Sequence, residues 1–596
     1  MQEHEIRHLI ENVRSGELPR RSFVQRMVGL GLTAPMAGML LMHAGVAQSQ
    51  AGPAYKPTKR GGGGALKTLW WQGPTLLNPH FATGTKDQEG CRVFYEPLAG
   101  WDADGNLIPI LAAEVPTREN GGLPPDGKSV IWKLKKGVTW HDGTPFTADD
   151  CLFNWQFATD PATAAVSIGI YKDVKVEKID AYSIRVILPK PTPFWAQAFV
   201  GTFGQQIPRH LFQNFMGTKS REAPTNLKPV GTGPYKFVDF KPGDMVRGEI
   251  NTAYHMPNRP YFDTIEMKGG GDAVSAARAV LQTGEFDYAW NLQVEDEVLK
   301  RLEAGGKGRA VIVPSGDIEF IQLNYSDSTQ EVDGERSNPK TRHPLFSDPA
   351  VRQAMALLVD KQGVQDFIYG RAGVATPNFL NNPPRYRSGN LKFEFNVEKA
   401  NAVLEAAGWK RGADGIREKG GKKLKFIYQT SINAPRQKTQ AIVKQAAGKA
   451  GIDLELKSVT ASVFFSSDVG NPDTYPKFFA DMQMYTTTQT EPDPERFMDQ
   501  YTTAELASKA NKWSGRNISR WRSDEYDKVF HQVETELDPV KRAAYIIKLN
   551  DLVCSDGYIV PVVNRPRVSG VANKLVAPLS GWDNIVWALH SWYRDA

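Results

Sequence analysis

Along the first half of the chain the apolar positions alternate over short distances, and in the second half they recur at helical spacing. Ala65–Trp71 predicts a first strand. Val130-Ile131-Trp132-Lys133-Leu134 and Ser183-Ile184-Arg185-Val186-Ile187-Leu188 are β-branched, apolar-rich strands. Up to about residue 270 helices are few. Thr147–Phe157 is one of them, with Thr147 as N-cap and Asp149 and Asp150 in its first turn, where carboxylates complement the unsatisfied N–H groups. After residue 272 the pattern becomes α/β. Ala273–Gln282 and Asp348–Asp360 are amphipathic, the second with Asp348 as N-cap and Pro349 at the first helical position. Val397–Ala407 ends at Gly408. Leu424–Tyr428 is a strand, Gln437–Ala450 a helix and Ile452–Leu456 a second strand, and so short a return predicts a parallel pair. Asp524–Val533 and Pro539–Cys554 are late helices. Residues 48–64 are polar, with Pro53, Pro57 and Gly61–Gly64, and read as a linker.

A chain of 596 residues is too long for one hydrophobic core, so at least two lobes are expected. The net charge of +6 is spread thinly. The basic runs Lys133–Lys136 and Lys422–Lys425 are broken by leucines, so they are solvated strand faces rather than a nucleic-acid stripe. Three cysteines, Cys91, Cys151 and Cys554, include no C-x-x-C pair and leave at least one thiol free. The compartment is read from the N-terminus instead. Arg20-Arg21-Ser22-Phe23-Val24 precedes an apolar stretch, Met27–Ala47, that contains glycines and Pro35. It resembles a twin-arginine (Tat) export signal, with small residues offering cleavage after Ala47 or Ala51. The rival is an uncleaved membrane anchor, for which the stretch is just long enough. With cleavage, residues 1–47 are a signal peptide and the mature protein is soluble and periplasmic.

Two motifs invite a catalytic reading and fail on context. Gly122-Leu123-Pro124-Pro125-Asp126-Gly127-Lys128-Ser129 matches a phosphate-binding loop by letter. It carries two prolines, follows no apolar strand and is itself followed by a strand, so a Pro-Asp-Gly turn is the better reading. His141 and Asp142 are adjacent in an extended stretch and point to opposite faces, which disfavours a shared metal. No H-E-x-x-H, G-x-S-x-G or correctly placed G-x-G-x-x-G occurs.

The stretch Lys133–Asp150, reading KLKKGVTWHDGTPFTADD, resembles the signature of solute-binding protein family 5, which serves ABC importers of oligopeptides, dipeptides and nickel. Val93-Phe94-Tyr95-Glu96-Pro97-Leu98, Val230-Gly231-Thr232-Gly233-Pro234-Tyr235, Gly284-Glu285-Phe286-Asp287, Val351-Arg352-Gln353-Ala354, Ala407-Gly408-Trp409 and Glu491-Pro492-Asp493-Pro494 follow the family's order. The resemblance implies an α/β clamshell of two lobes with an additional mostly β subdomain in the first. Residues 65–322 are expected to form lobe I, with the extra subdomain at about 95–228. Residues 323–558 form lobe II, and 559–596 return to lobe I. The crossovers are expected near Phe320–Tyr325 and Ile559–Asn564. The implied role is to bind a small polar ligand (peptide-like, opine, amino-acid derivative or short sugar) and deliver it to permease subunits with their ATPases. That role needs no catalysis and no cofactor, and the Tat translocase is a partner only during export. A monomer without nucleic acid is expected. The alternatives are an exported hydrolase or a metal-chelate-binding protein on the same fold. Ligand-lining candidates by position are Phe81, Thr83, Trp290, Asn291, Asn324, Tyr325, Tyr485 and Thr488. In peptide-binding members a Trp-x-x-Asp segment anchors the amino terminus. Here it reads Tyr485-Thr486-Thr487-Thr488, with Thr488 at the carboxylate position and Asp481, Glu491 and Asp493 as possible substitutes.

Overall fold

The computed structural model describes residues 53–595 except Pro193 and Leu537, together with 3–14, Leu18, 20–29, Ala37 and Leu41 near the N-terminus. Two large sheets organise it. The first has seven strands in the order 308–313, 567–572, 288–289, 65–70, 264–269, 245–250 and 235–241. The second has six, in the order 374–375, 559–564, 318–323, 482–487, 425–431 and 453–459. Each is backed by its own hydrophobic core, one including Trp70, Phe94 and Trp140, the other Phe320, Tyr428 and Val562. The architecture is therefore mixed α/β in two lobes.

The chain passes between the sheets twice. It leaves the first sheet after Val313 and enters the second at Ile318. It leaves the second after Asn564 and re-enters the first at Arg567. Strands Ile318–Leu323 and Ile559–Asn564 thus lie inside the second sheet, antiparallel to each other, and the connections between lobes are residues 314–317 and 565–566. The two connections are tied together: Arg565 N–H donates to the Asp317 carbonyl at 2.9 Å, and Asn564 Nδ2 to the same carbonyl at 2.9 Å.

Local signals in the sequence are realised with identifiable chemistry. Thr147 caps helix Ala148–Thr159 in a capping box with Asp150, and the Asp348 side chain accepts from Ala350 N–H ahead of helix Pro349–Leu357. Strand Lys425–Ser431, helix Ala434–Lys449 and strand Asp453–Val459 form the parallel unit, with Lys425 opposite Asp453. Gly127 N–H donates to the Pro124 carbonyl at 3.1 Å, closing a turn into strand Ser129–Lys133, so the phosphate-loop look-alike is a turn that leads into a strand and not into a helix. That strand belongs to a small antiparallel sheet with 183–187 and 175–180.

The family-like motifs converge on each other. Gly231 lies so close to the Phe94 carbonyl that a Cβ there would sit 1.8 Å from its oxygen, and Gly233 N–H donates to that oxygen at 2.8 Å. His141 N–H donates to the Gly231 carbonyl, while its Nε2 meets the Gly233 carbonyl at 3.0 Å; Asp142 turns away to His210 at 2.6 Å. Glu96 is buried and accepts from Tyr254 Oη, Thr232 Oγ1 and His255 Nε2, contacts that hold it ionised at a pKa of about 2 against its burial.

Near the N-terminus, helices Glu3–Arg14 and Arg20–Gly29 pack through Ile10, Val13, Phe23 and Met27. Arg20 and Arg21 begin the second helix. The proposed cleavage points, Ala47 and Ala51, lie outside the described residues. Among the described residues no helix is long and apolar enough to cross a membrane. Cys91, Cys151 and Cys554 are free thiols.

Candidate ligand-binding cleft

The two connections leave a cleft between the lobes with two adjoining chambers that share Thr85, Phe465, Thr486 and Thr488. The outer chamber encloses about 850 Å³ and the inner, beside the connections, about 600 Å³, part of each open to solvent. The first lobe contributes residues 82–85 and the start of helix Thr85–Arg92, whose N-cap is Gly84. The second contributes the end of strand Met482–Thr487, the segment after it, Phe465, Tyr475 and residues 513–516.

The lobes touch across this cleft. Thr83 Oγ1 is 3.1 Å from Ser467 Oγ, which donates to Asp87 Oδ2 at 2.7 Å. Tyr475 Oη donates to the Thr83 carbonyl at 3.4 Å, and the hydroxyls of Thr85 and Thr488 are 3.5 Å apart.

The outer chamber is rich in hydroxyls and aromatic rings. Tyr485 is positioned by strand pairing opposite Phe320, with ring centroids 4.8 Å apart, and packs on Tyr475 at 5.0 Å. Thr83, Thr85, Thr487, Thr488 and Thr490 line it, and none of its lining residues is an Asp or Glu; its one charged residue is Arg516. The inner chamber is ionic. Lys86 pairs with Asp87 at 2.7 Å, Arg436 with Glu319 at 2.7 Å and Arg567 with Asp317 at 3.2 Å. Glu89 accepts the backbone N–H groups of Ile585 and Val586, and burial pushes its pKa up to about 7. Arg565, on the return connection, donates from Nη2 to Asn291 Oδ1 at 2.7 Å. Trp290 stacks on Trp70 with near-parallel rings. Neither chamber is lined by His or Cys, and no cluster among the described residues could hold a metal ion.

Of the residues proposed from sequence, Thr83, Tyr485 and Thr488 line the outer chamber, and Trp290, Asn291 and again Thr488 the inner. The other three lie elsewhere. Phe81 is fully buried beneath the wall against Phe157, with the Arg221 guanidinium over its ring. Asn324 is consumed inside the second lobe, donating to the carbonyls of Phe478 and Ala480. Tyr325 packs on Tyr558. Both follow strand Ile318–Leu323, at its end away from the connections, which places them one strand-length from the cleft. Asp481 is held by His343 and by the backbone N–H of Ile427, and Asp493 by Arg542. The sequence reading passed over Gln72, Arg436, Arg516 and Arg565. The last had a signal: Arg565-Pro566-Arg567 interrupts an apolar run where the chain changes lobes.

The model of the bacterial extracellular solute-binding proteins, family 5, matches residues 106–508. The chain is 30% identical over 396 residues to the oligopeptide-binding protein AppA of Bacillus subtilis, covering 65% of this chain and 67% of that one. It is 26% identical over 390 residues to the glutathione-binding protein GsiB of Pectobacterium atrosepticum, covering 65% and 68%. Among solved structures, that of Bacillus subtilis AppA in complex with a nonapeptide superposes with a TM-score of 0.75 at 23% identity, over 91% of this chain and all of that one. With the match spanning well over half of its length, the chain belongs to the bacterial extracellular solute-binding proteins of family 5.

Proposed function

We propose that this protein is the extracytoplasmic binding component of an ABC importer, which holds a small polar ligand between its lobes and passes it to the permease unchanged. The observation that carries this reading is a cleft lined from both lobes and bridged by only two short connections. A ligand that touches both walls favours the closed arrangement by the contacts it gains there. Binding rather than turnover fits a cleft whose lining offers no His or Cys.

The relatives' names point to peptides and glutathione, and a peptide-related ligand is the class we favour. Within it, the outer chamber argues against an ordinary free amino terminus in the usual pose. Thr488 can accept a hydrogen bond but carries no charge, and no carboxylate lines that chamber. A ligand with its amine masked, such as an acylated amino acid or an opine, suits this hydroxyl and aromatic surface better. Export through Arg20-Arg21 completes the proposal. Small-angle scattering of the full chain tests it: a captured ligand should reduce or hold down the radius of gyration relative to a Thr488→Trp variant with a filled cleft. Equal radii for the two proteins, with and without ligand, would refute it.

A further inference from the structure

Resting on that reading of the cleft, we propose that its ligand carries a carboxylate and that Arg565 holds it in the inner chamber, with Asn291 and Gln72 beside it. Arg565 is only 5% exposed, lines the chamber, and forms no ion pair among the described residues. Its Nη2 donates to Asn291, while Nε and Nη1 have no partner in the protein. Gln72, equally buried in the same wall, has an Nε2 likewise without a partner.

Glu319 and Asp317 act on Arg565 through space, but neither carboxylate comes within ion-pair distance of it, each being paired with another arginine. Glu319 is filled by Arg436, Thr486 and Gln293. Glu89 is filled by two backbone N–H groups, and one Asp317 oxygen by Arg567. The second oxygen of Asp317 forms no ion pair with Arg565. An arginine is always protonated, and a buried guanidinium without a counter-ion is unfavourable unless an anion meets it. Carboxylate is the match in shape and charge for guanidinium N–H groups. The position adds a consequence. Arg565 is one of two residues in the return connection, and its backbone is tied to the other connection through Asp317. An anion bound there braces both connections at once, so ligand charge is read where the lobes hinge.

The test uses small probes, so it does not depend on knowing the transported compound. Thermal unfolding of the full chain is followed with sodium acetate against sodium chloride at equal ionic strength, and with N-acetylglycine against N-acetylglycinamide. The proposal expects acetate and N-acetylglycine to raise the midpoint, by the usual linkage of ligand to the folded state. N-acetylglycinamide should bind roughly tenfold more weakly or worse. Arg565→Gln should abolish the acid-specific shift, and Arg565→Lys should keep part of it. Equal shifts for acid and amide, no shift with either acid, or an undiminished shift in a folded Arg565→Gln protein would overturn the assignment. None of these outcomes bears on whether the lobes capture a ligand, which the scattering experiment reads separately.

Discussion

At the scale of single residues, charge placement decides what the cleft accepts. A charge-assisted hydrogen bond to a ligand ammonium is worth about 1.5–3 kcal/mol, and Thr488 cannot supply it. Thr488→Asp should therefore raise affinity for peptides with a free amino terminus by roughly tenfold or more, measured by calorimetry with a mixed di- to pentapeptide library. Submicromolar binding of that library by the unaltered protein, lost on N-acetylation, would contradict the assignment. Glu491, directly beyond this segment, makes a second residue-scale prediction. Burial, reinforced by Asp493, pushes its pKa from 4.5 up to about 8. Between those values the folded protein keeps a proton that the unfolded chain releases, so this group's contribution to stability is complete below pH 4.5 and lost as the pH rises to about 8. Glu491→Gln should leave the unfolding midpoint nearly unchanged near pH 4.5 and raise it increasingly towards pH 8. A difference from the unaltered protein that is flat with pH would show that Glu491 is ionised in the fold.

At the scale of elements, the parts legible in the sequence were those whose cause is local. Thr147 and Asp348 cap the helices they precede because a side-chain oxygen next to free N–H groups needs no distant partner. The parallel unit around Ala434–Lys449 followed from the spacing of apolar runs. The family motifs were legible for a different reason: Gly231, Gly233, Glu96 and His141 are packed together in the first lobe, so they record architecture, not ligand. Gly231→Ala, which would drive a Cβ into the Phe94 carbonyl, should cost at least about 2–3 kcal/mol in urea unfolding. A change within about 0.5 kcal/mol would mean that the two segments separate easily. The cleft was only half legible. Tyr485 and Thr488 were marked by strand and loop position, whereas Arg436, Arg516 and Arg565 meet the cleft only through long-range topology, and Asn324 and Tyr325 sit at the far end of a strand whose near end reaches it. The N-terminal element carries its own prediction. Arg20→Lys with Arg21→Lys should leave precursor in the cytoplasm, as fractionation and immunoblotting would reveal; normal export of that variant would contradict the twin-arginine reading.

At the scale of the whole molecule, two separately cored lobes are joined by two short connections, with a polar cleft between them. The same faces meet again at the rim, where Lys172 of the first lobe pairs with Glu505 of the second at 3.2 Å. That pair spans the two lobes, so any change in their separation is felt at it. The central claim is that the cleft captures a small polar compound and returns it intact. The most direct measurement incubates the full chain with a mixture of peptides, N-acylated amino acids, opine-type acids and short sugars. The protein is then separated, denatured, and its released ligand identified by mass spectrometry, with Thr488→Trp as the filled-cleft control. A carboxylate-bearing compound of unchanged mass should be retained by the native cleft and absent from the control. A compound recovered in altered form, equal retention by Thr488→Trp, or no retention from any class would contradict it.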